Sequence, residues 1–218
     1  MKTLKIIVCV FALIIGLCGS FVVMNYINLP DSYEIPQTKE GSSSTEGSGA
    51  IDIELIKSKD LSIHFMELGN KYTGDSTFIK VGDTEMLIDA GSRYSSVETI
   101  SNHIDQYCTD GKLEYVVVTH AHEDHYAGFA TPQNTQSLFD IYEIGTIIEF
   151  AKTNKSDTAT MQANYLREKG EAVANYGTSV YTALQCVNAG TIGTYTDTHA
   201  NRTYNLSENV SFSILYQD

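Results

Sequence analysis

The chain has 218 residues and carries 27 acidic against 14 basic side chains, which gives a formal net charge of −13. Nucleic-acid-binding surfaces rely on lysine and arginine to displace phosphate counterions, so this balance argues against a processive nucleic-acid enzyme. The length allows one substantial hydrophobic core.

The N-terminal segment 1–29 is predicted to be a signal anchor. Two lysines precede an uncharged, mostly aliphatic run at residues 6–24, which as a helix would nearly span the ~30 Å hydrocarbon layer of a membrane. The basic flank favours a cytoplasmic N-terminus, so the rest of a single-pass protein would lie outside the cell membrane. Small residues at positions 18–20 favour the alternative, a cleaved signal peptide and a secreted protein.

A flexible linker is predicted at residues 30–50, because residues 41–49 consist of glycine, serine, threonine and glutamate. This composition has too little apolar surface to fold by itself. The folded domain is therefore assigned to residues 51–218, held a short distance from the membrane.

Alternating or β-branched runs in this domain predict strands, and a helical period of apolar residues predicts helices. In chain order the predicted elements are strands at 61–68, 77–81 and 85–89, a helix at 95–107, strands at 113–118 and 141–150, a helix at 156–174 and a strand at 210–218. Ser156 is predicted to cap the second helix. His103 on the first helix and His64, which alternates with apolar neighbours in the first strand, are expected to be surface or packing residues and not metal ligands. The last strand still needs partners, which indicates a chain cut short of further elements.

Three of the six histidines and an aspartate lie within residues 120–125, directly after a predicted buried strand. Imidazole and carboxylate groups at this density are typical zinc ligands. Ligands of layered α/β folds gather at the carboxyl ends of strands. His120 and His122 are spaced to grip one ion, and Asp124 and His125 could reach a second.

This segment resembles the signature of the metallo-β-lactamase fold superfamily, H-x-H-x-D-H-x-x-G, in the form His120-x-His122-x-Asp124-His125-x-x-Gly128. Two upstream segments resemble the opening hairpins of that fold, namely Gly74-Asp75-Ser76 and Leu87-Ile88-Asp89-Ala90-Gly91. The order of the three segments is most similar to the hydrolase domain of ComEC-type DNA-uptake proteins and their free-standing relatives.

The resemblance implies an α/β fold, the N-terminal part of an αββα sandwich, with a dinuclear metal site at one edge. It places one Zn²⁺ on His120 and His122 and a second on Asp124 and His125. It also gives Asp124 a catalytic role, the orientation of the attacking water. Asp89 would hydrogen-bond the backbone near the metal loop.

Two features of the sequence stay open. The family completes its site with a histidine, a bridging aspartate and a last histidine further along the chain, whereas here the one histidine after Gly128 is His199. His199 lies in a polar stretch and is expected to be a solvated loop residue. Cys108 and Cys186 would either pair outside the cell or stay free, and their spacing does not decide between the two.

The leading hypothesis is a membrane-anchored, extracytoplasmic metal-dependent hydrolase. A metal-activated water would attack an ester, phosphodiester or amide of a small-molecule or polymer substrate. One alternative is a ComEC-like nuclease or phosphodiesterase, although the charge does not support a nucleic-acid partner. Another is a non-catalytic metal-binding or surface-interaction module.

Overall fold

A computed structural model describes residues 21–25, 61–69 and 74–216. The strands are β1 (Phe21–Asn25), β2 (Ser62–Phe65), β3 (Thr77–Val81), β4 (Thr84–Ile88), β5 (Lys112–Val117), β6 (Glu143–Glu149), β7 (Ser179–Thr182), β8 (Ile192–Gly193), β9 (Thr203–Asn205) and β10 (Ser211–Tyr216). The helices are α1 (Ser96–Ile104), α2 (Glu123–Tyr126), α3 (Leu138–Ile141), α4 (Thr160–Tyr176) and α5 (Ala183–Ala189), and a 3₁₀ turn follows α2 at Ala127–Phe129.

These strands form two sheets. The larger has six strands in the order β2-β3-β4-β5-β6-β7, and the smaller has four in the order β1-β10-β9-β8. In the larger sheet β3 runs antiparallel to both of its neighbours, β2 and β4, and β4 to β7 run parallel. The carboxyl ends of the four parallel strands therefore meet at one edge.

The central strands β3 to β6 are buried at successive positions, which shows that both faces of the larger sheet are covered there. On β3, Phe78 contributes to the core beneath α1, whereas Ile79 contributes to the core beneath the smaller sheet. The first core includes Ile100 of α1, and the second includes Phe212 of β10. The described layers are therefore helix, sheet and sheet, which is consistent with the predicted α/β sandwich.

The predicted signal anchor is wrong at its last residues. Phe21–Asn25 pair with β10 as an antiparallel strand and do not continue a helix. β-branched and aromatic residues suit a strand, and this pairing covers an edge of β10. Residues 6–20 and the linker at 30–50 lie outside the described residues. Within the described part of the chain, no helix is long and apolar enough to cross a membrane.

The structure also bears on the predicted helix cap and on the two cysteines of the domain. The second long helix begins at Thr160, so Ser156 is not its cap. Its hydroxyl lies 2.9 Å from that of Thr158 instead. Cys108 and Cys186 are both free and buried. They belong to the two different cores, on opposite faces of the larger sheet, and this separation prevents a disulfide.

Candidate metal centre

The histidine loop, residues 119–128, follows β5 and packs against the turn that follows β4. The Asp89 N–H donates to the carbonyl of Val117 at 2.9 Å, and the Ala90 N–H donates to the carbonyl of His125 at 2.7 Å. The Gly128 N–H donates to the carbonyl of Ala90 at 3.1 Å. A Cβ at Gly128 would lie 2.7 Å from that same oxygen, so the close packing requires glycine there.

Asp89 is the buried anchor of the loop, with 3 % of its surface exposed. Its Oδ1 accepts from the Thr119 N–H at 2.9 Å, and its Oδ2 accepts from the Thr119 hydroxyl at 2.7 Å. The same Oδ2 lies 2.8 Å from His125 Nδ1. Its φ of 59° is left-handed, a conformation that aspartate and asparagine tolerate better than most residues. The expectation that Asp89 hydrogen-bonds backbone near the loop is confirmed.

This hydrogen-bond pattern assigns the tautomers of two histidines. Asp89 can only accept, so the proton between it and His125 belongs to Nδ1 of the histidine. Thr119 donates its hydroxyl hydrogen to Asp89 and lies 3.0 Å from His120 Nδ1, from which it therefore accepts. In the neutral forms of both rings Nε2 keeps its lone pair, as a metal ligand requires.

The charge states of the two rings differ. Burial, together with the neighbouring His125 and His122, lowers the pKa of His120 to about 4. His120 is therefore neutral at pH 7. For His125, burial alone would lower the pKa, but the carboxylates of Asp89, Asp124 and Asp75 together outweigh it and raise the pKa. A metal would compete with a proton at His125 more than at His120.

The four predicted ligands lie on one loop, with their rings and carboxylate near one another. The ring centroids of His120 and His122 are 4.6 Å apart, and those of His120 and His125 are 3.9 Å apart. Asp124 Oδ2 lies 3.7 Å from His125 Nε2. Among the described residues, the loop does not bring three donor atoms within 4.8 Å of one another. His122 and Asp124 are solvent-exposed, so side-chain rotation can shorten these separations.

The other histidines lie elsewhere. His64 Nδ1 is 2.9 Å from His103 Nε2, and the ring of His64 also packs on Tyr107 at 4.5 Å. The expectation that both histidines pack is confirmed. His199 is exposed on a loop that contacts β5 through Tyr195, whose ring lies 4.6 Å from Lys112 Nζ. Lys112 begins β5, whereas the histidine loop follows its end.

An acidic cluster that the sequence did not reveal lies between α3 and α4. Oxygens of Asp140, Glu168 and Glu171 lie within 4.8 Å of one another, beside an open cleft of about 330 Å³. Arg167 pairs with Glu168 and lies 3.7 Å from Glu171. The Ser137 hydroxyl also donates to Glu168 at 2.9 Å. These carboxylates already have partners, so we interpret the cluster as a brace between the helices.

A comparison with known protein families gives a match that includes the histidine loop. A sequence model of the metallo-beta-lactamase superfamily matches residues 69–133, which run from before β3 through the histidine loop. No curated protein matches the chain. Similarity to this superfamily suggests a metal-dependent hydrolase, and its members typically bind metal ions, usually zinc.

The donor set of the loop fits zinc, which prefers imidazole nitrogen and carboxylate oxygen. Thr119 is a site residue that the sequence analysis did not single out. Its place directly before His120 was the available signal, but its hydrogen bond to Asp89 depends on the pairing of β4 with β5.

Proposed function

We propose that the protein is a metal-dependent hydrolase whose site is built on His120, His122, Asp124 and His125. The observation that supports it best is the orientation of His125 by the buried carboxylate of Asp89 and of His120 by Thr119, whose hydroxyl Asp89 binds. A histidine that ligates a metal usually donates its other N–H to a carboxylate or another acceptor in the same way.

Each residue has a role in this proposal. His120 and His122 would hold one ion, and Asp124 and His125 a second. Asp124 is exposed and lies 3.7 Å from His125 Nε2, so its second oxygen is free to orient a water and accept its proton. Two zinc ions bound there would supply an activated water and polarise the scissile group. Asp89 and Thr119 keep the rings in place and do not contact the substrate.

The charge around the loop bears on the substrate. His122, Glu123 and Asp124 are exposed side by side, and the whole chain is strongly acidic. Such a surface repels long polyanions, since no lysine or arginine stripe offsets the phosphate charge. We therefore propose a small ester, amide or phosphodiester and not a nucleic-acid strand. A ComEC-like nuclease is the second candidate, favoured by the order of the sequence motifs.

Export is part of the proposal. Residues 1–20, which are basic and then uncharged, support a membrane anchor or, alternatively, a cleaved signal peptide with a secreted domain. Fractionation of cells that express the whole chain distinguishes the two. An anchored protein stays in the membrane pellet at full length, whereas a secreted one appears shortened in the medium.

The function is tested with the 218-residue chain, its His122→Ala variant and the exposed control His199→Ala. Bound zinc is counted after dialysis, and hydrolysis is followed with p-nitrophenyl acetate, bis(p-nitrophenyl) phosphate and single-stranded DNA. His122→Ala is expected to lose one ion and about 100-fold or more of the activity, on the scale of other losses of charge stabilisation. His199→Ala should match the wild type.

The outcomes separate the candidates. Stoichiometric zinc with no hydrolysis of any probe would favour the non-catalytic metal-binding module. Cleavage of DNA in preference to the small phosphodiester would favour the nuclease. Wild-type zinc content in His122→Ala would show that the loop is not the metal centre.

A further inference from the structure

A second carboxylate, that of Asp75, faces His125. Asp75 Oδ2 lies 3.7 Å from His125 Nε2, the same distance at which Asp124 Oδ2 lies from that atom. The other ring nitrogen, Nδ1, is already bonded to Asp89 at 2.8 Å. The nitrogen that remains for a metal is therefore flanked by two carboxylates from different parts of the chain.

The backbone of Asp75 is fixed although its side chain is 73 % exposed. Its N–H donates to the carbonyl of Asp124 at 3.1 Å, and its carbonyl accepts from the Gly91 N–H at 2.9 Å. Before it, a Cβ at Gly74 would lie 2.5 Å from Ser92 N and 2.8 Å from the Asp124 carbonyl oxygen. The irregular segment that leads into β3 therefore packs closely against the histidine loop.

A surface ion pair with His125 explains this arrangement poorly. At 3.7 Å neither carboxylate hydrogen-bonds the ring, and an exposed pair contributes at most about 1 kcal/mol. Two carboxylates beside one imidazole also repel each other. A divalent cation between them would offset this repulsion more fully than a singly charged histidine.

Two of the three distances suit a shared ion. With bonds of ~2.1 Å and a tetrahedral angle, two ligand atoms of one zinc lie roughly 3.4 Å apart, and the separation of Nε2 from each carboxylate is 3.7 Å. The donor atoms of Asp75, Asp124 and His125 do not all lie within 4.8 Å of one another, so one of the two exposed aspartates must rotate for all three to bind one ion.

We propose that Asp75 is a ligand of the same ion as Asp124 and His125. This inference rests on the proposed function, because it assumes that the loop binds metal. It gives the second ion a carboxylate ligand from the segment before β3, in addition to the two ligands of the histidine loop.

The test compares Asp75→Asn with Glu123→Gln in the whole chain. Both variants remove one negative charge from an exposed side chain near the loop, but Glu123 is not a predicted ligand. Zinc affinity is measured by competition with a chelating dye, and the site is probed by the visible absorption of bound Co²⁺. Asp75→Asn is expected to lower the affinity for the second zinc ion at least about tenfold and to alter the cobalt spectrum. Glu123→Gln is expected to change neither the affinity nor the spectrum.

A third variant, Asp75→His, separates a ligand from a bare charge. Histidine can ligate the ion but lacks the negative charge, so this variant should retain both ions with a shifted cobalt spectrum. Should it lose the second ion as Asp75→Asn does, Asp75 acts only through its charge and the proposal is overturned. Wild-type affinity and spectrum in Asp75→Asn would overturn it while leaving the proposed function intact. Failure of the wild type to bind metal would refute both.

Discussion

Replacement of Asp89 by asparagine tests how the fold orients the proposed metal ligands. Asparagine has nearly the same shape and also tolerates the left-handed backbone at this position, where φ is 59°. Its carbonyl oxygen can still accept from the Thr119 N–H. The amide nitrogen then replaces the oxygen that now lies 2.8 Å from His125 Nδ1.

The consequence for His125 follows from proton positions. An amide N–H donates, so the neutral ring must accept at Nδ1 and carry its proton on Nε2. Nε2 is the nitrogen that faces Asp124 and Asp75 at 3.7 Å, and protonation there blocks metal binding. Loss of a carboxylate behind a ligating histidine costs about 10- to 100-fold in affinity, which corresponds to about 1.4 to 2.7 kcal/mol.

The assay is zinc affinity by competition for the wild type, for Asp89→Asn and for the control Asp83→Asn. Asp83 is exposed on the turn between β3 and β4, so the control removes the same charge away from the loop. The wild type and Asp83→Asn are expected to bind zinc with equal affinity, and Asp89→Asn is expected to bind it at least tenfold more weakly. Equal affinity in Asp89→Asn, with unchanged far-ultraviolet circular dichroism, would falsify the assignment of the His125 tautomer.

Two further predictions concern stability. Burial raises the pKa of Glu85 from 4.5 to about 7, against the opposing effect of Lys80. The stability that this group contributes is full below pH 4.5 and is lost as the pH rises through 7. Glu85→Gln should therefore reduce the pH dependence of the free energy of unfolding, measured in urea, by up to about 3 kcal/mol. An unchanged pH profile would contradict the burial argument. Gly74→Ala should destabilise the fold by about 1–3 kcal/mol in thermal unfolding, because its Cβ meets three backbone atoms at 2.5 to 2.9 Å. Gly170→Ala, in open space on α4, should instead stabilise by about 0.5–1 kcal/mol, and the same sign for both would refute the steric reasoning.

Local pattern was sufficient for several parts of the fold. The strand predicted at 77–81 is β3, and the strand predicted at 113–118 is β5 within one residue at each end. These runs are apolar, β-branched and bounded by turn residues, so local and tertiary preferences agree. The prediction of a helix through residue 24 failed because the same apolar residues suit a strand, and pairing with β10 decided between the two.

The sequence by itself predicted the kind of chemistry. Three histidines and an aspartate within six residues form a donor set that suits zinc, and their place after a buried strand predicts the sheet edge at which they lie. Only the tertiary structure decided which side chains from other strands contact that set. Asp89 and Asp75 are far from His125 along the chain, and they reach its two ring nitrogens because β3, β4 and β5 are neighbours in one sheet. Sheet pairing of this kind depends on contacts distant in sequence, which a local pattern does not encode.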